Sequence, residues 1–323
     1  MSLRRPLPLE IFLVIKSCIP VSDIRTHVCF YKTHPHIAAL YDSEEDADEF
    51  WRRVCWHSGI GALGKDDLED EHCWRNIALE VIERDGFCTH PQCGQTLLEY
   101  NARRIVHAQR YYIRPLTVFS KWKDDLLSDS DDSDSFMSTG SDEEEQEHPH
   151  LTVHRALLRT AFRTKPSGGY YGMRDEAQLR PVTDAEKAYK GSVLLKDHPL
   201  IERSFATDVP TSKIIIGALT SRELDHRILR RKTGVTVFDF MAAIFRDLDV
   251  AFDDDERDWN AREFFDSWDL PDGWTREDVY AQFRTLRDVL NVCRIIEFYY
   301  DGTVVYGGPL ISPTLGTSSW FGD

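Results

Sequence analysis

A chain of 323 residues, 41% of them hydrophobic, is long enough for two cores and apolar enough for most of it to fold. Its 39 basic residues stand against 55 acidic ones, and the formal charge of −16 argues against a nucleic-acid backbone or an anionic membrane as the main partner. No apolar run reaches membrane-spanning length, the opening residues lack a signal-peptide cleavage site, and seven cysteines fit buried reduced thiols, so the expected compartment is cytoplasmic or nuclear.

In chain order, Pro8 suits the first turn of a helix, Glu10 sets a negative charge near its positive end, and Pro20 stops it after Ile19. Between these signals Leu9, Ile11, Phe12, Leu13, Val14, Ile15, Cys18 and Ile19 are apolar, leaving Lys16 and Ser17 as a narrow polar edge. A helix so apolar needs more than one partner. Ser22 can cap a second helix through Asp23, Ile24, Val28 and Phe30, which the His34-Pro35 step interrupts. Ser43 starts another, with Phe50, Trp51, Val54 and Cys55 on one face. Three short helices cover only part of that apolar surface among themselves.

The run Leu7-Pro8-Leu9-Glu10-Ile11 with Ile15, then Ile19-Pro20-Val21-Ser22-Asp23-Ile24, then Phe50-Trp51-Arg52-Arg53, resembles the F-box in the divergent form common in fungal proteins. The stretch from Arg25 to Lys32 departs from it, lacking the usual Cys-Arg-x-Trp signature. The resemblance implies docking on the Skp-type adaptor of a cullin-based ubiquitin ligase, through Leu7, Pro8, Leu9, Ile11, Phe12, Ile15, Pro20 and Ile24. The rest of the chain would then select an unidentified protein substrate, with no catalysis of its own. Two other readings stay open: a scaffolding protein that binds the adaptor outside any ligase, and a zinc-dependent protein or enzyme built on the Cys88 region.

Gly59-Ile60-Gly61-Ala62-Leu63-Gly64 spells G-x-G-x-x-G but follows a helix, where the nucleotide-binding form follows a strand, so it reads as a helix stop and a loop. Trp74, Ile77, Ala78, Val81 and Ile82 then mark an amphipathic helix ending at Gly86, and Leu97, Leu98, Ala102, Ile105 and Val106 mark its partner. Between them Cys88, His90 and Cys93 offer soft ligands, with Cys73, His72 or His57 as a distant fourth. Closed zinc sites need four ligands and only three are local, so the favoured reading is a metal-free helix–helix connection, with no cofactor.

Residues 124 to 147 hold eleven acidic and no basic residues with seven serines and threonines, the composition of a disordered tether. Ser128, Ser130 and Ser141 precede acidic clusters and are candidates for an acid-directed kinase; a solubilising linker is the plainer alternative. Beyond it the pattern is α+β. A helix is expected over 151 to 162, short strands at 193 to 195 and 214 to 216, and a helix from Thr233 or Thr236 through Phe245. The run from Asp253 to Glu256 reads as a solvated loop, Trp259, Phe264, Phe265 and Trp268 as apolar positions of a helical segment, and Thr275 as the cap of one helix running to Leu290. Asp301-Gly302 suits a type I′ hairpin turn. Triad, phosphate-loop and zinc-protease motifs are absent. The expected fold is thus α+β overall: a three-helix unit over 6–61, a helical extension over 62–123, an acidic disordered linker over 124–149, and an α+β domain over 150–323 for substrate recognition.

Overall fold

The computed structural model describes residues 8–43, 46–66, 68–89, 94–111, 151–154, 157, 160–161, 178–179, 198–217, 227–248, 250–267 and 273–317. The fold is mixed, with an N-terminal helical region and a small four-stranded sheet towards the C-terminus. Helix α1 (Leu9–Cys18) begins after Pro8 and ends at Ile19, whose extended backbone leads into Pro20. Helix α2 (Ile24–Thr33) is capped by Asp23, not Ser22: the Asp23 carboxylate accepts from the Thr26 N–H at 3.1 Å. The His34-Pro35 step restarts a helix, because Pro35 sits in the first turn of α3 (Pro35–Asp42) and the His34 ring accepts from the His36 N–H. With α4 (Ala47–His57), the first fifty-odd residues therefore hold four helices where three were expected. Tyr41 is their hub: Trp51 stacks on it at 5.3 Å, while His27, Phe30, Tyr31 and Phe50 meet it edge-on.

Helix α5 (Cys73–Asp85) ends, as its sequence suggests, on a left-handed Gly86, and α6 (Gly94–Tyr111) follows. The start of α5 has no local side-chain cap. Asp48 of α4 supplies one instead, accepting from the Trp74 N–H at 2.8 Å and the Arg75 N–H at 3.3 Å.

Several later expectations change. Among the described residues of 151–162 there is no continuous helix: Val153 bridges Thr207, and β1 (Thr160–Ala161) pairs with β2 (Gln178–Leu179). The extended start lets the Thr152 and His154 backbone complete hydrogen bonds with Asp208 and Ala206. Helix α7 (Pro199–Arg203), strands β3 (Lys213–Ile216) and β4 (Arg227–Arg230), and helix α8 (Val237–Asp247) come next, α8 being capped by Thr236 with Asp239. Asp253 to Glu256 is no loop. It opens α9 (Asp254–Ser267), where Asp253 and Glu256 exchange hydrogen bonds with each other's N–H and the negative charges face the positive helix end.

The long helix expected from Thr275 is two, α10 (Arg276–Gln282) and α11 (Leu286–Val292). Thr275 with Asp278 caps the first, and Thr285 with Asp288 caps the second. The break keeps Val279, Phe283, Leu286 and Val289 all buried. The hairpin is present but turns later than expected. Strand β5 (Cys293–Val305) runs through Asp301-Gly302 as an irregularity, with Asp301 accepting from the Thr303 N–H, and the reversal falls at Tyr306-Gly307, both at positive φ. That placement lets β6 (Gly308–Thr317) bury Ile311 and pair with β3 in parallel, Ile216 opposite Ile311. The sheet order is β4-β3-β6-β5, and Phe240 of α8 packs edge-on against Phe298 at 4.9 Å.

The two halves meet along 203–208. Gly61 donates to the Arg203 carbonyl and Phe205 to that of Gly59, so the glycine-rich stretch is a seam rather than a phosphate cradle. A Cβ on Gly61 would lie 2.8 Å from Thr236 and 2.9 Å from Phe205. Ala206 and Val237 then carry the pairing on to 235 and 204, and one hydrophobic cluster extends from Ile24 to Ile311. The serine-bearing acidic stretch, the strand expected at 193–195 and Trp268 lie outside the described residues.

Candidate functional site

Helix α1 is built the wrong way round for a helix that faces solvent. Its one lysine points in and its aliphatic residues point out. Lys16 is 8% exposed, with Nζ 4.1 Å from the Tyr41 ring centroid, 4.7 Å from that of Phe50, and donating to the Leu40 carbonyl at 3.3 Å. The expected polar edge is therefore Ser17 alone. Phe12 rests on Phe30 with centroids 6.4 Å apart. Leu9, Ile11 and Ile15 are 49%, 43% and 39% exposed, and Leu13 and Val14 join them at 46% and 58%. At 100° per residue these five positions spread over about 240° of the ten-residue helix, leaving Phe12 and Lys16 as its inward side.

Of the residues assigned to the docking face, Pro8, Leu9, Ile11, Ile15 and Pro20 are exposed and Phe12 is half-buried. Ile24 is a correction: at 1% exposure it belongs to the hydrophobic core, in the cluster that holds Val28, Trp51 and Val54. Leu7 lies outside the described residues. Leu13 and Val14 were missed, although the burial of Lys16 follows once three aromatic or carbonyl groups are seen to converge on it.

The electrostatics under this face are those of a closed interior. Burial holds the His27 imidazole down at about 4, and its Nδ1 stands 3.1 Å from the Tyr41 hydroxyl. Burial also pushes the Asp48 carboxyl up, against the pull of the two N–H groups it caps.

Around Cys88 the sequence-local ligands are not the ones assembled. Asp85, Cys88 and His198 place ligand atoms within 4.8 Å of one another; His90 and Cys93 lie outside the described residues, and His57, His72 and Cys73 are not in the group. Arg25 of α2 binds the far Asp85 oxygen and donates to Gln95 at 3.3 Å. Burial pushes the Asp85 carboxyl up despite that guanidinium. No catalytic triad geometry accompanies either place among the described residues.

No family model matches the chain, and neither does any curated protein or solved structure. Among the described residues no helix is long and apolar enough to cross a membrane.

Proposed function

We propose that the chain is the substrate-recognition subunit of a cullin-based ubiquitin ligase, joined to its Skp-type adaptor by the outward apolar face of α1. The observation that carries the reading is the inversion of that helix: five aliphatic side chains from 39% to 58% exposed, over a buried lysine. Its opening residues, Leu9-Glu10-Ile11 after Pro8, are those that resemble the F-box. Contiguous apolar surface of this kind is a mark of a partner site.

Magnitudes set what α1 does. Complete burial of an aliphatic side chain is worth about 1.5–3 kcal/mol, so roughly 1 kcal/mol apiece is left to gain, about 5 in all. Association costs about 4–15 kcal/mol before any affinity shows. The helix is thus the centre of a larger interface, which Phe12 and Pro20 extend. The protein's own contribution to the reaction is proximity: it holds a substrate near a conjugating enzyme carried elsewhere in the assembly, in the cytoplasm or nucleus.

Removing residues 1–60 would be an ambiguous test, because Ile24, Val28, Trp51 and Ile60 lie in the common core. Co-purification of the full chain with a Skp-type adaptor, read beside a Leu9→Asp, Ile11→Asp variant, is the decisive experiment. The intact chain should bring down adaptor and cullin and the folded variant neither. Adaptor without cullin would favour a scaffolding role, and equal capture by both chains would refute the assigned face.

A further inference from the structure

We infer that Asp85, Cys88 and His198 form a binding site for a single divalent cation of borderline softness, zinc in the first place. Asp85 closes α5, Cys88 follows three residues later, and His198 immediately precedes α7. Their ligand atoms lie within 4.8 Å of one another, the spacing at which a carboxylate oxygen, a thiolate and an imidazole nitrogen share one ion. Such a mixed set suits zinc better than calcium or magnesium, which take oxygen ligands alone.

A second observation points to a ligand. The Asp85 side chain is fully buried, and among the described residues no donor meets its Oδ1 in full hydrogen-bond geometry, with the Phe87 and Cys88 backbone N–H groups standing near the carboxylate. A buried acceptor of this kind costs about 1–3 kcal/mol when left unmet. His198 Nε2 faces it at 3.6 Å, too far for a hydrogen bond and close enough for both atoms to reach a common ion. The other oxygen, Oδ2, is taken by Arg25. One carboxylate therefore faces a guanidinium on one side and the proposed ion on the other, the usual place of an outer partner that orients a metal ligand.

The backbone is shaped to hold Cys88 there. Gly94, at φ +57, returns the chain so closely that a Cβ on it would stand 2.0 Å from the Cys88 carbonyl oxygen. Asp85 itself is out of place electrostatically, since a carboxylate in the last turn faces the negative end of its helix. The Arg25 guanidinium eases that conflict at Oδ2, and an ion at Oδ1 eases it further. Binding displaces the thiol proton of Cys88 to solvent and forms bonds to Oδ1, Sγ and one imidazole nitrogen, leaving the fourth tetrahedral position to water. The ion joins the end of α5 to the start of α7, two segments more than a hundred residues apart, with Arg25 linking it to α2. With three protein ligands and a water it is an open site rather than a closed four-ligand one; by bridging two segments the ion still stabilises their junction, independently of the ligase reading.

The test uses the full chain without a polyhistidine tag or chelator. Elemental analysis should find about one zinc per chain, falling at least about tenfold in Asp85→Asn, Cys88→Ser and His198→Gln. Cobalt in place of zinc should give a thiolate-to-metal absorption band in the intact chain, a reading that does not depend on any variant folding. A chelator should lower the melting temperature of the intact chain. Metal-free protein that also shows no cobalt band overturns the site, as does zinc retained at full content by all three variants.

Discussion

Helix α1 and the 203–208 seam break the same rule in opposite senses. The first turns aliphatic side chains to solvent, and the second takes charges out of it. In the seam, Arg203 is 1% exposed, yet its guanidinium donates to both oxygens of Asp66, at 2.7 and 3.1 Å. Asn101 donates to Ser204 Oγ and stands 2.9 Å from His154, while Asp208 receives the Thr152 N–H and hydroxyl. Each buried polar group there finds its partner in the same chain. The α1 row does not, because the lysine that anchors it uses up the inward side. The contrast separates a part of the chain that satisfies its own buried polar groups from one that leaves aliphatic side chains at solvent.

The sharpest way to break this contrast is at α1. Leu9→Asp with Ile11→Asp should abolish adaptor capture while moving folding stability by no more than about 0.5 kcal/mol per site, since both side chains are already near half exposed. A pull-down beside a urea titration reads both quantities, and a large loss of stability would show that the row is core after all. The seam should respond in reverse. Arg203→Met takes the guanidinium from the Asp66 carboxylate, which keeps the Leu63 N–H, and should cost about 3–5 kcal/mol in the same titration. Glu80, 3.6 Å from Arg203 but nearly half exposed, adds little to that. A cost under about 1 kcal/mol would mean the charges are not closed off as described.

Lys16→Ala tests the hinge of the comparison. Losing a carbonyl hydrogen bond and contacts with two aromatic faces should cost about 1–2 kcal/mol, with adaptor capture weakened rather than lost. Equal capture at equal stability would detach the lysine from the posture of α1. The last test concerns His27. Its folded value of about 4 lies below the ordinary 6.5, so the unfolded chain binds the proton more readily. That contribution is present above pH 6.5 and is lost as the pH falls towards 4. The slope is at most about 1.4 kcal/mol per pH unit. Buried carboxyls such as Asp48 and Asp85, pushed up, act with the opposite sign in the acidic range. The measurement is therefore a difference: wild type minus His27→Gln melts from pH 7.5 to 4.5 should shrink on acidification, and a flat difference would show the imidazole is not shut in.

Local signals were legible wherever a helix or strand announces its own ends. Pro8 and Pro20 bound α1, Gly86 stops α5, Thr275 caps α10, and Ile214 to Ile216 form β3, as their residues suggest. Where competing local signals met a tertiary demand, the tertiary demand won. Asp301-Gly302 is a good turn, but turning there would take Ile311 out of its pairing with Ile216, so the chain bulges and reverses at Tyr306-Gly307. The stripe from Val279 to Val289 is a single helix by spacing, and two caps divide it.

Sequence alone determined that the first helix carries more apolar surface than its neighbours hide, because composition and helical period are local properties. It also determined the mixed class of the fold and most element ends. Only the tertiary structure decided which side of α1 faces out, since that depends on Lys16 meeting Tyr41, Phe50 and Leu40 from other helices. It alone moved Ile24 from surface to core, capped α5 from Asp48, and brought His198 beside Asp85 and Cys88. Each of these rests on atoms distant along the chain, and no periodicity or short motif encodes a distance of that kind.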